Sequence, residues 1–243
     1  MKAMIFAAGL GTRLKPITDF IPKALVEVNG EPILGYQIKR LAGFGFTSIV
    51  VNVHHHAEKV KAFLTSFKIP GVEVLISDES DLLLDTGGGL WNAANLLNGD
   101  EPFLVHNVDI LSNINLLEVY QRHIQSDSLA SLVVSNRDSS RRFLFNGEGI
   151  LRGWENTKTG EHKLPCEEKE NLIPSAFSGI HVVDPSIFRL HQQHGAFSIV
   201  DVYLSLCAKY TIRAINPTNS TILDIGTPQK LQQANTMISE GVL

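Results

Sequence analysis

Short apolar runs alternate with longer amphipathic segments along the first half of the chain. The runs predict five strands, at Ala3–Ala7, Ser48–Val53, Val72–Ile76, Pro102–His106 and Leu129–Ser135. Between them, helical spacing of apolar residues predicts helices at Ile33–Phe44, Ala57–Phe67, Leu90–Leu97 and Leu116–Ser126. This alternation favours an α/β fold, with a mostly parallel central sheet and helices on both faces. Such sheets bind ligands at the carboxyl ends of their strands.

The second half of the chain is less regular. Residues 136–149 are typical of a turn and hairpin, and the polar stretch 155–172 predicts a surface excursion. Three more strands and two more helices are predicted, at Ala176–Val183, Thr211–Ile215, Thr221–Leu223, Val200–Lys209 and Thr227–Glu240. Thr227 is a favourable N-cap residue because Pro228 follows it.

Composition narrows the class of protein. The 243 residues are 44% hydrophobic and 19% charged, as in an ordinary soluble globular protein. A net charge of -4 argues against nucleic acid as the main partner, and no apolar run approaches the roughly 20 residues that span a membrane. Cys166 and Cys207 lack metal-ligand spacing and favour a reducing, cytoplasmic location. We expect one domain over 1–243, in which the regular pattern changes at about residue 137.

The loop after the first strand, FAAGLGTRLKP, combines two glycines with two cations. It lacks the third glycine of a G-x-G-x-x-G dinucleotide loop, because Leu14 takes that position, and it lacks the Walker pattern. The backbone amides of such a turn can still approach an anion, while Arg13 and Lys15 could neutralise a polyphosphate. From spacing alone, a simple turn with solvated charges stays open.

The longer segment FAAGLGTRLKPITDFIPKALVEVNGEPIL resembles the amino-terminal signature of the sugar-1-phosphate nucleotidyltransferases. Later segments agree with that family in order, at Leu82–Leu90, Phe103–Ile110, Ala176–Phe188 and Ile222–Leu231. The resemblance implies a Rossmann-like, GT-A-like nucleotidyltransferase fold. It further implies an Mg²⁺-dependent enzyme that joins a nucleoside triphosphate to a sugar 1-phosphate and releases pyrophosphate.

The resemblance also implies a nucleotide-binding half at about 1–136 and a sugar-binding half at about 137–243, and it assigns the nucleotide site. Its expected residues lie in the opening loop, in the stretch LLDTGGGL and after the fourth strand: Ala8, Gly9, Gly11, Thr12, Arg13, Asp85, Thr86, Gly87, Gly88 and Asn107. Arg13 and Lys23 are the implied catalytic residues. Arg13 would hold the triphosphate and stabilise the departing pyrophosphate, and Lys23 would lie near the α-phosphate and the attacking sugar phosphate.

Asp109 and Asp224 are the metal ligands that the resemblance implies, since Mg²⁺ prefers oxygen ligands. An aspartate taken alone would more often cap a turn. Glu155, Ser178 and Gly179 are the expected sugar-binding residues.

Two positions depart from the family pattern. Val108 stands where a glycine is usual, and residues 77–81 contain no glutamine to recognise the base. Both departures leave the base and the sugar open.

Several alternatives follow from the residues. Within the family, the compact chain and DTGGGL look most like N-acetylmuramate-1-phosphate uridylyltransferases, and next like mannose- or heptose-1-phosphate guanylyltransferases. A catalytically silent regulator that binds a nucleotide sugar is a second class, and a dinucleotide-dependent oxidoreductase is disfavoured by the missing glycine. The triplet His54–His56 is a poor zinc site because neighbouring side chains point apart. The pair Arg141 and Arg142 is either solvated or binds a phosphate or a subunit neighbour.

Overall fold

The computed structural model describes residues 1–243. Fourteen strands are present: β1 Lys2–Phe6, β2 Glu27–Val28, β3 Glu31–Pro32, β4 Ser48–Val53, β5 Glu73–Asp78, β6 Phe103–Asn107, β7 Ile110–Ser112, β8 Ala130–Ser135, β9 Arg141–Phe145, β10 Leu151–Asn156, β11 Glu161–Lys163, β12 Ile173–Val183, β13 Ile212–Ile215 and β14 Ile222–Asp224. Every strand predicted from an apolar run is confirmed to within about three residues at each end.

Eight helices connect these strands: α1 Ile33–Gly43, α2 Ala57–Ser66, α3 Asp85–Asn92, α4 Ala94–Leu97, α5 Leu116–Ile124, α6 Ile187–Leu190, α7 Ile199–Leu206 and α8 Pro228–Ser239. The predicted cap of the last helix is confirmed, since the Thr227 hydroxyl accepts a hydrogen bond from the Lys230 amide. The helix predicted at Leu90–Leu97 is wrong at its start. Helical structure begins at Asp85, because the glycine run forms the first turns of α3 instead of a loop.

The central sheet has ten strands. Its first part is parallel, in the order β6-β1-β4-β5, as the alternation of strand and helix predicts. The long strand β12 then pairs antiparallel with β6 on one side and with β8 on the other. Its amino-terminal end also joins the hairpin β9–β10, with β11 at the edge. The turn and the first strand of the hairpin predicted over 136–149 are confirmed, but its second strand, β10, lies wholly after that range.

The core lies on both faces of the sheet, because successive side chains of a strand point to opposite sides. In β1, Ala3 and Ile5 pack on one face, beneath α1, α2, α5 and α8. Met4 packs on the other face, beneath α3, α4, α6 and α7. This arrangement confirms the prediction of an α/β sheet covered on both sides. None of the helices combines the length and the apolar character needed to cross a bilayer.

A second, two-stranded sheet places two distant parts of the chain side by side. Strand β7 follows β6 after a short turn, and β14 pairs antiparallel with it, so that Asp224 lies opposite Ile110. The Ile225 amide donates to the Asp109 carbonyl at 3.0 Å, which extends the pairing by one step. The backbone of the second predicted aspartate is thus fixed beside that of the first.

Candidate active site

The carboxyl ends of β1, β4, β5 and β6 meet at one edge of the sheet and enclose a pocket of about 400 Å³. Twelve residues from these strand ends and the following loops line it: Phe6, Ala8, Gly9, Lys23, Asn52, Glu79, Leu83, Asp85, Thr86, Asn107, Val108 and Asp109. Seven of the predicted site residues therefore meet in one cavity. We call it the strand-end pocket.

The opening loop presents unused donors toward this pocket. The amides of Ala8, Gly9, Leu10 and Gly11 donate to no acceptor in the protein. Gly11 has a φ of +65°, which glycine adopts readily. The Thr18 hydroxyl donates to the Gly11 carbonyl at 2.8 Å and so fixes the conformation of the turn. A run of free amides in a fixed turn is the local chemistry that binds phosphate oxygens.

Lys23 forms an ion pair with Asp109 inside the strand-end pocket. Both side chains are largely buried, at 13% and 15% exposure. Lys23 comes from the short 3-10 turn Lys23–Leu25, whereas Asp109 follows β6 directly. Because the two groups are shielded from water, their attraction is stronger than that of a surface pair. A polyphosphate entering the pocket would meet the ammonium group of Lys23 at its inner end.

Arg13 and Asp224 form a second pair next to the first, with Nη2 and Oδ2 3.5 Å apart. Burial alone would raise the pKa of Asp224. The Gly226 amide and the charges of Arg13, Lys23 and Lys230 lower it, and together they outweigh burial, so the pKa lies below its usual value. The carboxyl is therefore an anion at neutral pH. A Cβ at position 226 would overlap the Arg13 guanidinium, so the pair requires glycine there.

Asp109 and Asp224 together fit a hard divalent cation. Both offer carboxylate oxygens, their backbones are held together through Ile225, and the charge of Lys23 acts on both. No group of three or more metal-ligating side chains exists in the chain. A cation here would take its other ligands from phosphate oxygens and water, which is how Mg²⁺ is usually held.

The stretch DTGGGL forms the start of α3 and one wall of the pocket. Asp85 and Thr86 line the cavity, whereas the amides of Gly87 and Gly88 both donate to the Phe197 carbonyl, at 2.8 and 3.1 Å. Side chains at these two glycines would collide with the segment 195–197. The close backbone approach expected from the glycines therefore occurs, but it is made to another part of the protein.

Sequence reasoning missed Asn52 and Glu79, which lie at the ends of β4 and β5. Asn52 accepts from the Ala7 amide at 2.7 Å and donates to Glu79 Oε1 at 2.8 Å. Glu79 is buried, and its Oε2 makes no hydrogen bond although it lies in the pocket wall. Burial raises the pKa of Glu79, with the Asn52 hydrogen bond and the nearby Leu84 amide opposing that shift. Their place at the carboxyl ends of two parallel strands was the available signal.

Asn107 and Gly179 meet where β6 pairs with β12. Gly179 has a φ of +74°, and a Cβ there would overlap the Asn107 side chain. Ser178 is buried and lies away from the pocket. Val108 has an ordinary negative φ, is buried, and accepts a hydrogen bond from Gln37, so the residue that replaces the usual glycine causes no backbone strain.

A wider groove of about 700 Å³ continues from the Arg13–Asp224 pair over the antiparallel strands. Trp154 and Asn156 of β10 line this groove, whereas Glu155 points to the other side of the strand and pairs with Arg142 at 2.6 Å. The sugar contact expected of Glu155 is thus not brought to the groove. Arg141 lines the groove, so the two adjacent arginines have different surroundings.

The histidine triplet does not converge on one point. His54 contacts the Glu79 carbonyl through Nδ1 at 2.6 Å, while the rings of His55 and His56 lie together, 4.1 Å between centroids. Cys166 and Cys207 are both buried free thiols with their sulfur atoms 3.5 Å apart.

The chain is similar in sequence to known proteins over part or nearly all of its length. The family described as nucleotidyl transferase matches residues 2–145. An N-acetylmuramate alpha-1-phosphate uridylyltransferase of Caulobacter vibrioides is 29% identical over 98% of this chain and 97% of its own length. A probable mannose-1-phosphate guanylyltransferase of Oryza sativa is 32% identical over 77% of this chain, which spans about half (51%) of that relative.

The fold has close counterparts among solved structures. A UDP-glucose pyrophosphorylase from Acinetobacter baumanii superposes with a TM-score of 0.78, covering 99% of this chain and 98% of that one, at 18% identity. At that identity the likeness establishes the fold, which includes the antiparallel second half as well as the parallel first half.

Proposed function

Because the chain belongs to the nucleotidyl transferase family, we propose that it makes a nucleoside-diphosphate sugar from a nucleoside triphosphate and a sugar 1-phosphate. The observation that carries this proposal is a juxtaposition. Four unused amides of the opening loop lie beside the Lys23–Asp109 and Arg13–Asp224 pairs at the carboxyl edge of a parallel sheet. Cations, free amides and carboxylates are the groups that position and neutralise a reacting triphosphate.

The triphosphate would occupy the strand-end pocket, with its phosphates on the opening loop. Lys23 and Arg13 are each paired with a carboxylate before substrate binds. When the phosphates enter, the two cations can turn to them, and the carboxylates of Asp109 and Asp224 become free. Together these two carboxylates would hold Mg²⁺, which when bound neutralises charge on the phosphates and orients them.

The reaction itself asks for positioning and charge stabilisation. An oxygen of the sugar phosphate attacks the α-phosphorus in line, and pyrophosphate departs on the opposite side. Lys23 would stabilise the charge shared between the attacking phosphate and the α-phosphate. Arg13, which is 61% exposed, would hold the departing pyrophosphate at the mouth of the pocket and let it leave.

The substrate pair that we propose is UTP with N-acetylmuramate 1-phosphate, and the cytoplasm is the proposed location. This choice is supported by the Caulobacter relative, whose similarity extends over nearly the full length of both chains. The second candidate is a guanylyltransferase acting on mannose 1-phosphate, which the rice relative supports.

A pyrophosphate-release assay tests the proposal. Four nucleoside triphosphates would be crossed with N-acetylmuramate, N-acetylglucosamine, glucose, mannose and heptose 1-phosphates in the presence of Mg²⁺. We expect turnover with UTP and N-acetylmuramate 1-phosphate. Asp109→Asn should abolish it while circular dichroism stays unchanged, and Asp100→Asn, on an exposed loop, should leave it intact. Nucleotide binding without any turnover would instead indicate the regulatory class.

A further inference from the structure

The groove beside the strand-end pocket has cationic side chains that form no ion pair with a carboxylate. Three acidic side chains line it, and each has a cationic partner in the same wall. Asp224 pairs with Arg13, while Asp201 and Glu161 pair with Lys163, at 2.8 and 3.8 Å. Two further guanidinium groups line the groove and have no carboxylate partner, those of Arg137 and Arg141.

Arg137 is held through its guanidinium group, and Arg141 is held through its own main chain. The Arg137 Nη2 group donates to the Phe177 carbonyl at 2.9 Å, which leaves its other N–H groups free. The backbone of Arg141 exchanges two hydrogen bonds with the Ser139 hydroxyl, at 2.9 and 3.3 Å. Both arginines line one groove, and we call the two together the fork. Guanidinium groups match carboxylates in a bidentate manner.

The fork lies outside the strand-end pocket, which holds Lys23 and Asp109 and which neither Arg137 nor Arg141 lines. It shares its groove with Arg13 and Asp224. The Arg137 guanidinium is held at the Phe177 carbonyl, and Phe177 is two residues along β12 from Gly179, so the Cα atoms of Phe177 and Gly179 are at most about 7 Å apart. Gly179 touches Asn107 at the pocket edge. The fork therefore lies near the pocket edge.

The remaining wall suits the body of a sugar. Phe143, Trp154 and Phe177 line the same groove, and Lys163 Nζ lies 5.4 Å from the Trp154 ring centroid. Aromatic faces pack against the apolar faces of sugars and their methyl groups, whereas neutral hydroxyls alone would not need two free guanidinium groups.

We propose that Arg137 and Arg141 bind a carboxylate on the sugar, so that the acceptor is an acidic sugar 1-phosphate and neutral sugars are disfavoured. This inference rests on the proposed function and adds the residues that would select the sugar. N-acetylmuramate carries such a carboxylate on its lactyl group, and N-acetylglucosamine is the same sugar without it. The pair of sugars therefore isolates the group that the fork binds.

The test measures both sugar 1-phosphates with wild type, Arg137→Gln, Arg141→Gln and the double variant. Each single variant should raise KM for N-acetylmuramate 1-phosphate about tenfold or more, the scale of a charged hydrogen bond. KM for N-acetylglucosamine 1-phosphate should not change. Arg189→Gln, which removes an exposed arginine outside the groove, should affect neither sugar.

Two results would overturn the proposal. Equal losses on both sugars would mean that the guanidinium groups bind the 1-phosphate, and no loss on either would mean that they are solvated. If wild type turned over no sugar 1-phosphate, the proposed function would fail by itself. Calorimetric binding of the two sugar phosphates to wild type and the double variant would then test the role of the fork by itself. A preference of the wild type for the acidic sugar, lost in the double variant, supports that role, and equal binding of the two sugars refutes it.

Discussion

At the scale of single residues, the site is built from charges that neutralise one another until a ligand arrives. Lys23 with Asp109, and Arg13 with Asp224, join residues far apart in the chain. The residue types and their motifs were visible in the sequence, but the pairing was not.

Replacing Lys23 with alanine should lower kcat by about 10² to 10³, the usual effect of removing one charge-stabilising group from a reacting centre. The change also leaves Asp109 without its partner, so KM for the nucleotide is the secondary readout. Steady-state pyrophosphate release measures both constants. Lys209→Ala, on an exposed helix end, is the matched control and should behave like wild type. A near-normal rate in Lys23→Ala would make this lysine structural.

At the scale of elements, the wall of the nucleotide pocket depends on how closely α3 approaches the segment before α7. Two glycine amides donate to the Phe197 carbonyl, and the Thr86 hydroxyl accepts from the Ile199 amide at 3.1 Å. These bonds occupy donors of the glycine stretch that phosphate could otherwise use. We therefore expect phosphate to bind at the opening loop, while α3 contributes the side of the pocket.

Gly88→Ala should test this contact, since a Cβ at that position would overlap the Gly195 carbonyl. Overpacking of this kind lowers the free energy of unfolding by about 1 to 3 kcal/mol. Displacement of α3 should also raise KM for the nucleotide, because Asp85 and Thr86 move with it. Urea denaturation and steady-state kinetics report the two effects.

Gly43→Ala is the control for that variant. Gly43 ends α1, has a negative φ, and has open space where its Cβ would lie. Alanine there should leave the free energy of unfolding unchanged or raise it by about 0.5 to 1 kcal/mol. If Gly88→Ala were as stable as Gly43→Ala, the contact between α3 and residues 195–197 would be looser than the structure indicates.

At the scale of the whole molecule, the sheet buries a histidine on each face. His106 faces the side covered by α1, and His181 faces α7, where its Nδ1 lies 2.5 Å from the Tyr203 hydroxyl. Burial lowers the pKa of both to about 3, assisted by Arg40 for His106 and by His106 for His181. His123 is lowered to about 4, also by burial. All three are neutral in the folded protein at neutral pH.

These histidines should make the protein acid-sensitive. The unfolded chain binds a proton at each histidine below about pH 6.5, whereas the folded chain does so only near pH 3 to 4. Unfolding therefore takes up protons in that window, and the free energy of unfolding falls as pH falls, by about 1.4 kcal/mol per pH unit for each histidine.

Urea denaturation at several pH values between 8 and 5 measures this slope. His181→Gln should flatten it, since one proton uptake is removed, and His194→Gln, at an exposed position, should leave it as in wild type. An unchanged free energy of unfolding from pH 7 to pH 5 in the wild type would contradict the linkage.

The sequence by itself determined most of the strands and helices. Periods of two and 3.6 residues set them, because local backbone preference and burial follow those periods. The opening loop and Lys23 were singled out as candidates because they lie in one continuous segment that resembles a family signature. The start of α3 was missed, because three successive glycines are poor helix formers and this turn is held by contacts with residue 197.

Only the tertiary structure decided what the distant residues do together. The long strand β12 and the small β7–β14 sheet bring Asp224 beside Asp109 and set the groove next to the pocket. The tertiary structure also pairs Glu155 with Arg142 and leaves Arg137 and Arg141 without a carboxylate partner, although the sequence presents all these charges alike. Charge pairing depends on distances between residues remote in the chain, and no local pattern encodes those distances.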